Sequence, residues 1–529
     1  MVLSPRTYQF LVGVFASVGS VLYGYDLGVI AEVVGCDDYL SKFNPSSTEN
    51  GVVVSLFTGG AFFGAFFAGP VGDMLGRRWT IFLGAIIFLL GGSLQTAART
   101  IHYLYAGRAI AGLGVGFLVM IIRHPDSDVV SRPNGVTCTL ELTFSVPTAV
   151  YQGEIAHPSI RGRVTALQQF MLGIGSFVAG WISYGTFSIG GSKEWRIPLG
   201  IQLVPALILA LLILLFPESP RWLLDNGKEE EGLDTLAKLH ANGDRQDAWV
   251  RAEFAQIQES ITFEHEHAAK TYAELFRNRS SFRRLFLACA LQASVQMTGV
   301  SAIQYFSIDI YSQVGIEGQD ALKYQAINNI LALIAQASCI LFIDRLGRRW
   351  PLICGNLINC LMFMIATILI AQFPPETNKS GGAGWGFIVV TWLYNISFSA
   401  TCGPLSWIIP AEIFDTHTRS KGVSIATMTS FAFNTMIGQV TDIAINNTHW
   451  RYYLLFVICN FTNAVFFYLL LPETKKLPLE EMNYLFTNAP WIVPGTDRSA
   501  YTMDMAADLE RRAGELQEKG AVAENAEHA

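Results

Sequence analysis

The sequence predicts an all-α integral membrane protein with about twelve spans in two sets of six. Three observations predict it. Of its residues 51% are hydrophobic and 15% charged, with a mean hydropathy of +0.35, whereas a soluble domain carries about 25% charge. Apolar runs recur, each near the ~20 residues that a helix needs to cross a bilayer. A basic turn, Gly72-Asp73-Met74-Leu75-Gly76-Arg77-Arg78, returns once as Asp344-Arg345-Leu346-Gly347-Arg348-Arg349, each copy between two apolar runs. Glycine permits the tight turn, and the arginines stay in water on the cytoplasmic side. Such repetition is how transporters are built.

In order, the spans read 10–31, 51–71, 79–97, 103–122, 164–188, 197–216, 285–307, 321–343, 350–372, 385–409, 420–444 and 451–471. They divide the chain into a first bundle (1–216), a charged, helix-prone linker (217–284), a second bundle (285–471) and a polar tail (472–529). Two further signatures repeat in the same order. Pro217-Glu218-Ser219-Pro220-Arg221 leaves the sixth span as Pro472-Glu473-Thr474-Lys475 leaves the last, and Arg161-Gly162-Arg163 answers Arg419-Ser420-Lys421-Gly422.

If the spans alternate, the basic clusters share one side, and the positive-inside rule puts both termini in the cytoplasm. The sequons at Asn378 and Asn446 then fall in external loops, while Asn278 is internal and stays bare. The net charge of −7 says little, because what matters is where the basic residues fall, and no basic patch suggests nucleic acid. No nucleophile–base set or metal-spaced cluster stands out, so neither an enzyme nor a metal site is expected.

The motifs resemble the sugar porter family of the major facilitator superfamily. They are Gly24-Tyr25-Asp26, Gly72-Asp73 to Arg78, Gly107-Arg108, Glu154 with Arg161-Gly162, Pro217 to Arg221, Asp344 to Arg349, Gly403-Pro404 with Trp407 and Glu412, and Pro472 to Lys475. Gln152-Gly153-Glu154-Ile155-Ala156-His157-Pro158 looks like fungal members. The resemblance implies the major facilitator fold: two six-helix bundles rocking about a site near the midplane.

Asp26 lies inside the first span, where a charge is costly and rare without a use. Arg108, entering the fourth span, is its natural partner. In proton-coupled members of the family, the matching pair carries coupling. The aspartate takes up a proton and releases the arginine, whereas facilitated members have an uncharged residue there. Burial and the neighbouring guanidinium act in opposite senses on such a carboxylate and together set its proton affinity.

Sugar hydroxyls call for side chains that both donate and accept. The resemblance assigns substrate contacts to Gln169, Gln296, Ser301, Trp407 and Asn434. Several family positions depart: Val295 replaces a glutamine, Ser301 and Ala332 replace asparagines, and Ser430-Phe431 replaces Asn-Trp. Asn328 and Asn329 sit a turn before Ala332. Each lost group costs a tight hexose site on the order of 1 kcal/mol, so a pentose, disaccharide, polyol or cyclic acid such as quinate stays open beside glucose.

The resemblance also implies a cytoplasmic gate of Asp73, Arg77, Arg78, Glu154, Arg161, Asp344, Arg345, Arg348, Arg349, Glu412 and Arg419. Charge pairs between the bundles would hold it shut while the site faces outward. One feature has no family counterpart. Residues of about 123–147 are polar, carry Pro125, Pro133 and Pro147, and would interrupt the end of the fourth span. They read as a retained intron or a gene-model error rather than a functional loop, which the spliced transcript decides.

The reading is proton symport of a sugar across the plasma membrane by a monomer, with no cofactor beyond the proton gradient. A non-transporting sugar sensor and a quinate or polyol carrier are the alternatives.

Overall fold

A computed structural model describes residues 14–15, 17–119, 158–241, 243–267, 273–373, 382–414, 418–474, 485–487 and 490–494. The expected insertion at 123–147 lies outside them. The described residues are helical and contain no strand.

The first bundle comprises α1 (Val18–Val34), the short α2 (Asp37–Phe43), α3 (Ser47–Leu75), α4 (Arg77–Thr96), α5 (Ile101–Val119), α6 (Pro158–Phe187) and a sixth span broken into α7 (Lys193–Ile201) and α8 (Leu203–Ile213). The linker folds as α9 (Pro220–Asp225), α10 (Glu229–His240), α11 (Ala248–His267) and α12 (Ala273–Arg277). The second bundle comprises α13 (Arg279–Gln296), α14 (Val300–Ser312), α15 (Gly318–Leu346), α16 (Arg349–Gln372), α17 (Gly382–Ala400), α18 (Cys402–Ile413), α19 (Arg419–Thr448) and α20 (Arg451–Leu470).

Each expected span therefore falls on a helix or a broken pair. The breaks have local causes. Gly299, at φ +96°, separates α13 from α14, and Thr401, before Gly403-Pro404, separates α17 from α18. Broken helices of this kind are common at transporter sites. Among the described residues eight helical segments are long and apolar enough to cross a membrane, nine if α1 and α2 form one bent span.

Two expectations need correction. The first span was expected to end at 31, but α1 runs to Val34 and brings Glu32 into the helix. Asn446 was expected in a loop. It lies in the last turn of α19, where its amide donates to Ser47 Oγ (2.8 Å) and Asp442 Oδ1 (2.8 Å). Asn378 lies outside the described residues. Asn278 caps α13, accepting from the Ser280 amide at 3.1 Å.

The basic turn is built alike in both halves. Gly76 (φ +91°) and Gly347 (φ +87°) adopt a backbone that side-chain-bearing residues rarely reach. Over each turn lies the glutamate of the Pro-Glu signature. Glu218 accepts from the Arg77 amide (2.9 Å) and the Arg78 amide (3.2 Å). Glu473 accepts from Arg348 (2.9 Å) and Arg349 (3.1 Å). A carboxylate there meets the unpaired N–H groups and positive dipole end of α4 or α16. Burial pushes the Glu218 carboxyl above the usual range, and the amides and Arg77 pull the other way.

The bundles are shut against each other in the half remote from these turns. Ser55 Oγ donates to Gln439 Oε1 (2.8 Å), Thr58 and Thr435 hydroxyls bond at 2.9 Å, and Asn446 reaches Ser47, so α3 lies on α19. Asn329 Nδ2 donates to the Ser176 carbonyl (3.1 Å), which joins α15 to α6.

Candidate transport site

The site begins with close packing of α1 on α6. A Cβ on Gly24 would lie 1.9 Å from the Leu172 carbonyl oxygen, and one on Gly175 would lie 2.2 Å from that of Val21. Small residues thus let the two backbones touch, and Ser176 Oγ donates to the Gly24 carbonyl (2.7 Å). This contact fixes α1, and with it Asp26.

Asp26 and Arg108 are both fully buried. Arg108 Nη1 donates to Asp26 Oδ2 at 2.5 Å, Nε donates to the Val53 carbonyl (3.1 Å), and the guanidinium lies 4.4 Å from the centroid of the Phe57 ring. The pair is monodentate. Asp26 Oδ1 and Arg108 Nη2 are buried without a hydrogen-bond partner. One carboxylate oxygen is thus unpaired while the other faces the guanidinium. Tyr305 of α14 senses the charges of both residues, and its hydroxyl donates to Asn434 Oδ1 (2.9 Å). Phe431 of α19 meets Tyr23 of α1 edge-on, with centroids 6.4 Å apart. Phe57 under the guanidinium stacks on Tyr23, so the surroundings of the ion pair reach the second bundle through Tyr23 and Phe431.

Gln296 donates through Nε2 to Ser430 Oγ (3.0 Å) and accepts from Ser301 Oγ (2.6 Å). Gln296 and Ser301, named together from the sequence, bond to each other. Ser430, counted there as a lost group, holds the glutamine amide. Trp407 is 37% exposed. The side chain of Gln169 lies outside the described part, and its backbone sits one turn before Gly173 on α6.

A cavity opens between α6, α14, α15 and α17. None of Gln296, Ser301, Trp407 and Asn434 lines it. Its polar wall is Gln304, Gln325, Asn328, Gln336 and Asn395, and its aromatic wall is Tyr394 and Phe398. Asn395 Nδ2 donates to Asn328 Oδ1 (3.0 Å), and the Tyr311 hydroxyl donates to Gln325 Oε1 (3.4 Å). Gln336 Oε1 is buried without a partner. Ala332 lines the cavity where the family pattern has an asparagine, and Asn328 stands a turn away. The sequence signal for this wall was a run of amides within the eighth span and a lone asparagine in the tenth.

At the basic end, Arg77 Nη1 bonds Asp73 Oδ1 (3.2 Å) and the Gly72 carbonyl (3.0 Å). Arg78 Nη1 donates to the Phe216 carbonyl (3.3 Å). Arg348 grips Glu412, with Nη2 to Oε1 at 2.8 Å, and Thr474 Oγ1 donates to Glu412 Oε2 (3.1 Å). Arg349 Nη2 donates to the Tyr468 carbonyl (2.6 Å) within its own bundle. Trp222 Nε1 donates to the Asp73 carbonyl (2.9 Å), docking the linker onto the first turn. Glu154 and the side chains of Arg161, Asp344, Arg345 and Arg419 lie outside the described residues.

The family described as "Sugar (and other) transporter" matches residues 12–123 and 137–486. The chain belongs to the sugar porter family of the major facilitator superfamily. Residues 124–136, unmatched by this sugar porter pattern, fall within the expected insertion. The MFS-type transporter criB of Aspergillus cristatus is 32% identical over 90% of this chain and 92% of its own length. The quinate permease of Emericella nidulans is 30% identical over 91% and 89%. The high-affinity glucose transporter of Kluyveromyces lactis is 28% identical over 92% and 86%. The fold matches the proton:xylose symporter XylE with a TM-score of 0.70 at 22% identity, over 91% of this chain and 99% of that one. This sugar porter is a multi-pass membrane protein, and its curated relatives include sugar and quinate transporters.

Proposed function

We propose that the protein is a proton-coupled symporter of a sugar or a related neutral polyhydroxy solute, working by alternating access in the plasma membrane. The carrying observation is the buried Asp26–Arg108 pair with one carboxylate oxygen unpartnered. A proton on Asp26 weakens its hold on Arg108, and the freed guanidinium changes what α1 and α5 present to the facing bundle. Breaking a buried pair costs about 3–5 kcal/mol, enough to bias a two-state equilibrium by more than a hundredfold. Tyr305, within electrostatic reach of the pair and bonded to Asn434, links that change to α14 and α19.

The solute is assigned to the amide-lined cavity, with Gln169, Gln296, Ser301, Trp407 and Asn434 contributing as the bundles move. Among the described residues, none lining the cavity is charged, which favours a neutral solute over a carboxylate such as quinate. The basic turns face the cytoplasm, as do both termini, so the closed half of the bundle interface is external. Asp73, Arg77, Arg78, Glu154, Arg161, Asp344, Arg345, Arg348, Arg349, Glu412 and Arg419 form the cytoplasmic gate, and residues 217–284 brace it. The carrier acts as a monomer without a cofactor.

Uptake of labelled sugars, polyols and quinate into transporter-deficient cells, with and without an uncoupler, tests the reading. Accumulation of a neutral solute that collapses with the uncoupler is expected. Uptake of no polyhydroxy solute, or uptake indifferent to the proton gradient, overturns it.

A further inference from the structure

Asp26 is not alone on α1. Glu32 lies about 9 Å further along the same helix and on another face. It is 6% exposed. Beside it lie Cys36, Ser183 of α6, Glu194 and Trp195 of α7, and Leu322 of α15 in the other bundle. Among the described residues, none lining this small space is basic. Neither carboxylate oxygen of Glu32 has a hydrogen-bond partner of good geometry, although the Ser183 hydroxyl is close enough to act on it. The other titratable groups nearby are Tyr25, which senses the Glu32 charge and donates to the Pro198 carbonyl, and Cys36 with Glu194, which interact with each other. Glu32 also lies at the α6–α15 seam. A Cβ on Gly180 would stand 3.5 Å from Glu32 Oε1 and 3.1 Å from the amide nitrogen of Asn329 on α15.

An ionised carboxylate closed into such a seam has no counter-charge, and stranding it costs several kcal/mol. A protonated one costs far less. The seam opens when the bundles part on this side, and water then reaches the carboxylate.

We propose that Glu32 is a second proton-binding site, separate from Asp26, which must be loaded before the α6–α15 seam closes. Hydronium from the external water gives its proton to the carboxylate, water leaves, and the neutral acid is sealed in. Closing this face of the carrier thereby carries one proton inward, in addition to the proton on Asp26. The proposal rests on the symport reading for the direction of that movement.

Two measurements test it on the full-length protein in sealed lipid vesicles. The infrared difference spectrum of wild type minus Glu32→Gln at neutral pH should contain the carbonyl band of a buried carboxylic acid. The proton-to-solute ratio should fall by one in Glu32→Gln, with solute uptake retained. A difference spectrum without the band, or an unchanged ratio, overturns the proposal. If Glu32→Gln does not fold, Ser183→Ala replaces it. The acid band should then shift, and an unmoved band overturns the proposal. Wild-type protein that moves solute without protons sinks the symport reading instead, and there the band alone decides whether Glu32 holds a proton.

Discussion

The two bundles divide the polar work between them. The first holds the buried ion pair of Asp26 and Arg108 on α1 and α5. The second supplies Gln304, Gln325, Asn328, Gln336 and Asn395 to the cavity, while α6 gives it Leu172, Gly173 and Ser176. On the proposed function, the difference follows from what each task requires. A proton site needs a charge held dry against a fixed partner, where its energy changes greatly with protonation. A site for hydroxyls needs neutral groups that donate and accept, because a neutral solute returns little of the cost of burying a charge.

The sharpest way to break this comparison is at Asp26. Asp26→Asn should abolish concentrative uptake while leaving exchange of solute across the membrane. Asp26→Ala, which strands Arg108, should lower stability by about 3–5 kcal/mol. Counterflow and accumulation assays with a melting curve check both. Concentrative uptake by Asp26→Asn would remove the first bundle's claim to coupling.

The basic turns are where the halves should behave alike. Gly76→Ala and Gly347→Ala each force a strained backbone, and the added Cβ would lie 2.5 Å from Glu218 Oε2 or 2.8 Å from Glu473 Oε2. Each should cost about 1–3 kcal/mol, read as loss of folded protein on heating. A turn that tolerates alanine in one half only would show that the repeat is not functionally even.

The amide wall should answer to affinity and not to coupling. Asn328→Ala and Asn395→Ala should each raise KM by roughly fivefold, from a hydrogen bond of about 1 kcal/mol, at an unchanged proton-to-solute ratio. They bond each other, so the double variant should cost less than the sum, and a double-mutant cycle measures the shortfall. The smallest effect is expected from deleting 123–147, which should leave uptake at or above that of the full chain in the same assay.

The twelve helices were legible because a bilayer demands long apolar runs and leaves little freedom in how they pair. The turns were legible because glycine and arginine mark them in both halves. Asp26 with Arg108 was legible because charge inside a span is rare. The cavity was less so. Gln296, Ser301 and Asn434 are expected as substrate contacts, yet their hydrogen bonds run to one another, to Ser430 and to Tyr305 inside the second bundle. In the sequence, Asn328 and Asn329 of α15 stand out only as neighbours of the missing asparagine at Ala332. Glu32 was passed over because the first span was ended one residue short of it, and hydropathy places a helix end no better than a few residues.

The order of apolar and basic segments by itself determined the class of protein, its twofold repeat and the pairing of its buried charges. These depend on the cost of putting polar groups into lipid, which acts on each segment separately. Which amides face the cavity, that the Pro-Glu carboxylates cap the helices after the basic turns, and that Glu32 lies at a seam between bundles were decided by the tertiary structure. Those facts depend on how helices far apart in the chain rotate against one another, and that rotation is set by the summed packing of both surfaces.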